Sequence, residues 1–142
     1  MGDLTEHFSW AEFACHDGTL MPPPVKINIP RTAEMLEVLR LALSEEYKTD
    51  CPLIVASGYR SPEWNKYVGG VANSQHLLGK AADIVCLKLT AVKVQVVARK
   101  LWSRGTIGGL GLYPGFTHVD WGPKRIWTYQ QKEQFVQTST SS

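Results

Sequence analysis

Two imidazoles and one carboxylate are the side chains of this sequence best suited to do chemistry. His76 and Asp83 lie in Ser74-Gln75-His76-Leu77-Leu78-Gly79-Lys80-Ala81-Ala82-Asp83, and a further histidine follows in Thr117-His118-Val119-Asp120. Two His and one Asp make the ligand set of an open zinc site, in which three protein ligands leave a fourth tetrahedral position to water, whose pKa then falls to about 7. The chemistry indicated is metal-assisted hydrolysis, with one zinc ion as cofactor. Singly, each residue has a plainer explanation: a loop histidine, a strand-end cap, a half-buried histidine satisfied by hydrogen bonds. Jointly they read differently, because a carboxylate inside the apolar run Ala81-Ala82-Asp83-Ile84-Val85 is costly unless it is paired or bound to a cation. His7 and His16 sit in polar, loop-like stretches and are not expected to be ligands.

The elements around these residues must bring them together. His76 and Asp83 are too far apart in sequence to form a one-turn helical pair, and Gly79 lies between them, so a loop-to-strand unit is expected, with a bend at Gly79 and close packing at Ala81-Ala82. His118 then has to arrive from a neighbouring strand. Ser9 and Glu12 form a capping-box pattern for one short helix, followed by a loop through Gly18 and Pro22-Pro23-Pro24. Leu36, Leu39, Leu43 and Tyr47 recur at three- and four-residue steps and predict a long amphipathic helix over 30–48, with Pro30 in its first turn. The branched run 52–57, ended by Gly58, reads as a buried strand, and Ser61-Pro62-Glu63 opens a short helix that Gly69-Gly70 stops. Further strands are expected over 81–87, 107–112, 117–121 and 125–129, with a turn at Tyr113-Pro114-Gly115. A second amphipathic helix is expected over 90–103, carrying Val92, Val96, Val97 and Leu101. This order predicts an α+β fold, a small, mainly antiparallel sheet with helices packed on one face.

At 142 residues and 44% hydrophobic, the chain suffices for one domain with a real core. The expected division is a single catalytic domain over 1–136 and a tail over 137–142 with almost nothing to bury. A net charge of +2, with Lys and Arg scattered, argues against a nucleic-acid partner. Cys15, Cys51 and Cys86 are odd in number and lack any Cys-x-x-Cys pair, so neither a disulfide framework nor a thiolate metal site is expected, and each reads as a buried apolar residue. The first residues lack the basic start and apolar run of a secretion signal, and no stretch approaches the roughly 18 apolar residues that span a membrane. Synthesis in the cytoplasm without membrane insertion is the expectation.

Several motifs in order resemble a known family. Ser57-Gly58-Tyr59-Arg60-Ser61-Pro62, Asn65, Val68-Gly69-Gly70, Ser74-x-His76-x-x-Gly79-x-Ala81-x-Asp83 and His118-Val119-Asp120 are similar to the zinc D-Ala-D-Ala carboxypeptidase family, which includes phage endolysin peptidases and shares its metal-site fold with the hedgehog signalling domain. The resemblance runs from about Phe8 to Trp121. It implies a zinc metallopeptidase of the hedgehog/DD-peptidase-like fold, with His76, Asp83 and His118 as metal ligands. It also implies Arg60 as the cation that holds a substrate carbonyl or carboxylate, and Ser74 as a residue that orients the peptide. A guanidinium suits that role, being a rigid fork of donors that keeps its charge.

Such an enzyme needs a base, and where many members of that family carry an acid, three positions before the last histidine ligand, this chain has Gly115. Strand alternation puts Asp120 on the same side as His118, which makes it the candidate base; the alternative is that it orients a ligand imidazole from behind. Tyr113, Trp64 and Trp121 are assigned no role. The expected function is hydrolysis of stem-peptide or cross-bridge amide bonds in peptidoglycan by a monomer acting on the bacterial wall, released during phage lysis in the manner of an endolysin. The alternative is a zinc-stabilised wall- or protein-binding module that has lost hydrolysis.

Overall fold

Proline has a φ near the helical value and no N–H to lose, so it fits the first turn of a helix. In the computed structural model, which describes residues 2–131, the prolines at 22–24 accordingly start a short helix, α1 (Pro23–Lys26), inside what the sequence suggested was a loop. Helix α2 (Ile29–Tyr47) follows, with Pro30 in its first turn, and buries Ile29, Ala33, Leu36, Leu39 and Leu43. The remaining helices are α3 (Pro62–Tyr67), capped by the Ser61 hydroxyl, and α4 (Ala91–Ser103), capped by Thr90. Two 3-10 turns, Trp10–Phe13 and Gln75–Leu78, complete the helical set among the described residues, and the first carries the expected Ser9/Glu12 capping box.

Five strands form one sheet: β1 (Ile54–Ser57), β2 (Ala81–Val85), β3 (Gly109–Leu112), β4 (Thr117–Asp120) and β5 (Arg125–Thr128), in the order β1-β2-β4-β3-β5. Every neighbouring pair is antiparallel except β3 with β5, which is parallel. The α+β architecture expected from the sequence is therefore present. Side chains alternate across the sheet. Ala82 and Ile84 on β2, Leu110 on β3 and Val119 on β4 join the core with Leu36, Leu39 and Leu43 of α2 and Val97 and Leu101 of α4. The other face carries Asp83, His118, Asp120, Arg125 and Trp127, all buried, so β2 and β4 are covered on both sides.

Three expectations need correction. The run 52–57 is not a buried strand: β1 pairs only with β2, at the sheet edge, and Ile54 is 45% exposed. On α4, Val92 and Val96 point outward at 68% and 51% exposure, while Val94, Val97, Ala98 and Leu101 form the buried stripe. The strand expected from 107 begins at Gly109 and the one expected to reach 87 ends at Val85. All three cysteines are buried and free, as expected. The domain limit at 136 and the tail 137–142 lie outside the described residues.

Candidate metal centre

Asp83 is the pivot of the site. On β2 it pairs in register with His118 on β4, so the two side chains rise from the same face of adjacent strands. His76 comes from the 3-10 turn just before β2. That turn ends at Gly79 in the left-handed conformation, φ 73°, which a glycine adopts without strain, and the chain reverses there into Ala81. The expected bend at Gly79 is thus the device that folds His76 back over Asp83. His76 Nε2 lies 3.2 Å and His118 Nδ1 2.9 Å from the same oxygen, Asp83 Oδ1, and the two rings meet edge to face at 5.0 Å. One ligand atom from each of the three residues falls within 4.8 Å of the others, close enough to share one ion.

The partners on the far side of each ring decide which nitrogen faces inward. His76 Nδ1 is 2.7 Å from the Gly58 carbonyl, which can only accept, so Nδ1 carries the proton and Nε2 presents its lone pair. His118 Nε2 is 2.7 Å from Asp120 Oδ2, also an acceptor, which leaves His118 Nδ1 for the centre. Two lone pairs and a carboxylate oxygen aimed at one point repel unless a cation lies among them. This donor set fits zinc, and each imidazole has the outer acceptor that metal-binding histidines usually have.

Among the chain's own groups, the carboxylates and imidazoles of the centre compensate one another's burial. Burial alone would raise the Asp83 pKa, but its interactions with the His76 and His118 imidazoles outweigh it and hold the carboxyl well below the ordinary range. Burial alone would lower the pKa of His118, yet its hydrogen bonds to Asp120 and Asp83 push it up to about 10. Asp120, likewise resisting burial through His118 and Arg125, is lowered to about 2.

Arg60 enters from the loop after β1. Its guanidinium donates to Asp83 Oδ2 at 3.3 Å, Asn65 Oδ1 at 3.2 Å and Ser57 Oγ at 3.4 Å, and it lines the same cleft as the two histidines. Ser74 also lines the cleft, but its hydroxyl accepts the His76 backbone N–H at 3.2 Å and so caps the ligand-bearing turn. The opposite wall is aromatic: Tyr113 stacks on Phe116 at 4.4 Å and accepts a hydrogen bond from Trp127 Nε1 at 3.0 Å.

Asp120 is placed differently from the expected base. It is fully buried behind His118, and both oxygens are engaged: Oδ2 by His118 and Arg125 Nη2, each at 2.7 Å, and Oδ1 by Arg125 Nη1 at 3.2 Å and the Gly122 N–H at 2.9 Å. This geometry suits the orienting alternative better than the preferred role of base. Gly115 faces open space, so packing does not forbid a side chain there. His7 bonds Glu37 and His16 bonds the Ala56 carbonyl, both away from the centre.

Sequence reasoning missed Arg125, Trp127, Gly109 and Gly111. Arg125 and Trp127 alternate on β5, and the Trp127 ring packs 5.1 Å from His118. Between β5 and β4 runs β3, which offers only Gly109 and Gly111 on this face, paired with Asp120 and His118. A methyl at Gly109 would overlap the Asp120 carboxylate and the Arg125 guanidinium, and one at Gly111 would sit 2.8 Å from the Trp127 ring. A signal was present: an arginine alternating with tryptophan in a buried strand needs a buried acid, as Asp83 needs a cation.

A family model for peptidase M15 matches residues 6–120, which include all three candidate ligands and Arg60. The chain belongs to the peptidase M15 family. Over 131 residues this M15 chain is 30% identical to a protein of Streptomyces albus G named zinc D-Ala-D-Ala carboxypeptidase, a match covering 86% of the chain and 48% of that protein. Over 80 residues it is 41% identical to a Haemophilus influenzae protein named probable peptidoglycan L,D-endopeptidase MepK, covering 51% of the chain and 41% of that protein. The M15 chain thus spans less than half the length of either relative. No helix among its described residues is long and apolar enough to cross a membrane.

Proposed function

We propose that this M15 peptidase is a zinc-dependent hydrolase of peptide amide bonds in peptidoglycan, acting as a carboxypeptidase or endopeptidase next to D-amino acids. The observation that carries the reading is the convergence of His76 Nε2, His118 Nδ1 and Asp83 Oδ1 in a cleft that Arg60 also lines. The choice of polymer rests on relatives named for peptidoglycan and for D-Ala-D-Ala.

In this reading His76, Asp83 and His118 hold the ion. Zinc there supplies Lewis acidity, polarising a carbonyl oxygen and making water nucleophilic at neutral pH. The chain's own residues do the rest. The Gly58 carbonyl and Asp120 fix the imidazole tautomers, so that both rings keep unprotonated nitrogens inward. Arg60 is tethered by Asp83 and Asn65 and offers a fixed cation to the substrate carbonyl, to the charge that develops on it, or to a terminal carboxylate. Ser74 holds the turn that carries His76. The wall formed by Tyr113, Phe116 and Trp127 gives the substrate an aromatic surface. Lysis of a host wall during phage release, the setting suggested by the resemblance to endolysin peptidases, belongs to the same proposal.

The test is digestion of purified muropeptides from several wall types, with and without chelator, read by mass spectrometry. Chelator-sensitive cleavage of an amide bond is expected, and loss of turbidity in a suspension of whole walls would support the lytic setting. Gly115, where an acid is usual, favours a second reading: a zinc-stabilised module that binds wall or protein without hydrolysis. Zinc uptake with no cleavage of any wall substrate would select it.

A further inference from the structure

A buried arginine two strands away from a metal ligand needs a reason. Arg125 and Asp120 are both buried, and their side chains meet in a two-pronged contact, Nη2 to Oδ2 at 2.7 Å and Nη1 to Oδ1 at 3.2 Å. Such a pair is not required for stability, since well-packed apolar residues do as well in many cores. It gives direction instead. A carboxylate held by one donor can rotate, whereas one gripped at both oxygens by a planar fork has its plane fixed. The oxygen so fixed, Oδ2, is the one that faces His118 Nε2.

The route of the contact is built into the sheet. Strand β3 separates Arg125 on β5 from β4, and the missing side chain at Gly109 leaves the gap through which the guanidinium reaches Asp120. Arg125 Nη1 is steadied by the Pro123 carbonyl at 2.5 Å. We infer that Arg125 is a positioning residue for the metal centre: by gripping both oxygens of Asp120 across the Gly109 gap, it aims that carboxylate at His118 Nε2 and leaves Nδ1 to face Asp83. The inference rests on the proposed role of His118 as a ligand.

The experiment uses the full chain as wild type, Arg125→Met, Arg125→Lys and Gly109→Ala. Zinc affinity is measured by competition with a fluorescent chelator, and the His118 tautomer is read in the zinc-loaded protein by long-range 1H–15N NMR. Arg125→Met should weaken zinc binding by about 10- to 100-fold, the usual effect of losing an outer partner, and should erode the Nε2–H signal of His118. Arg125→Lys, which keeps the charge but not the fork, should lose less. Gly109→Ala retains every charged group and closes the gap, and it should fall in the same direction as Arg125→Met. Zinc affinity within about twofold of wild type in Arg125→Met, or in Gly109→Ala should the first fail to fold, with the tautomer intact, overturns the inference. A wild type that takes up no zinc removes the ligand reading itself, an outcome distinct from unchanged affinity in the variants.

Discussion

Asp120→Asn is the substitution that best separates the two roles open to this residue. The side chains are nearly the same size, so the change removes a charge and turns one acceptor into a donor. Around Asp120 stand four donors: His118 Nε2, both terminal nitrogens of Arg125, and the Gly122 N–H. An asparagine amide has one oxygen, so its NH2 must face donors in either orientation. With the oxygen toward His118, the NH2 meets Gly122 and Arg125; with the oxygen turned away, His118 gains a neighbour that donates, and its inward nitrogen takes up the proton. The second arrangement places an N–H where a ligand lone pair is needed. Either way the Arg125 guanidinium loses its counter-charge while still buried, and breaking a buried pair in this manner costs about 3–5 kcal/mol. Asp120→Asn should therefore lower stability by about that amount in urea unfolding and weaken zinc about 10- to 100-fold in chelator competition. A base behaves otherwise, because its loss leaves stability and metal intact and lowers turnover by about 10²- to 10⁴-fold. An Asp120→Asn protein with wild-type zinc affinity and unfolding midpoint but little turnover would refute the orienting role and restore the base.

Arg60→Met should keep zinc and lose about 10²- to 10³-fold in kcat/KM, the usual effect of removing one donor to a developing oxyanion; a change below about fivefold in muropeptide cleavage would remove Arg60 from the chemistry. Ser74→Ala should cost about 1 kcal/mol in urea unfolding, as for a lost N-cap, with a smaller kinetic effect than Arg60→Met; a larger loss in KM than in stability would restore its expected role in orienting the peptide. In the metal-free protein, His118 keeps its proton up to about pH 10 against an ordinary value of 6.5, so its contribution to stability is complete below 6.5 and fades as pH rises through about 10. Urea midpoints of chelator-treated protein should accordingly fall between pH 7 and pH 10. For the same reason zinc must displace that proton, and calorimetry near pH 7.5 in buffers of different ionisation enthalpy should show about one proton released per ion bound; none released would contradict the state assigned to His118.

The candidate ligands were legible because Asp83 breaks a local rule and the two histidines lie where they can answer it. A carboxylate amid Ala81, Ala82, Ile84 and Val85 demands a cation, and Gly79 lies where a bend can fold His76 back over it. Strand alternation likewise placed Asp120 on the face of His118. What it could not give was the direction of the Asp120 carboxylate, which depends on β5 lying beside β3 and in parallel to it. That neighbour follows from strand order, and the periodicity of a single strand carries no information about order. The helix α4 failed for a related reason. Val92, Val96 and Val97 belong to a valine-rich helix on which two adjoining stripes both satisfy three- and four-residue spacing, and contact with α2 and the sheet selects Val94, Val97, Ala98 and Leu101. The apolar run at 54–57 has the composition of an inner strand and the position of an outer one, because pairing partners and not composition decide where a strand lies. The glycines of β3 are the least legible of these residues. At 109 and 111 they read as weak points in a strand, and their function appears only when Arg125 and Trp127 are seen to occupy the space they leave. A site of this kind is therefore specified in two layers: the atoms that would hold the ion are visible in the sequence as exceptions, whereas the groups that aim them are visible only as consequences of which strand lies next to which.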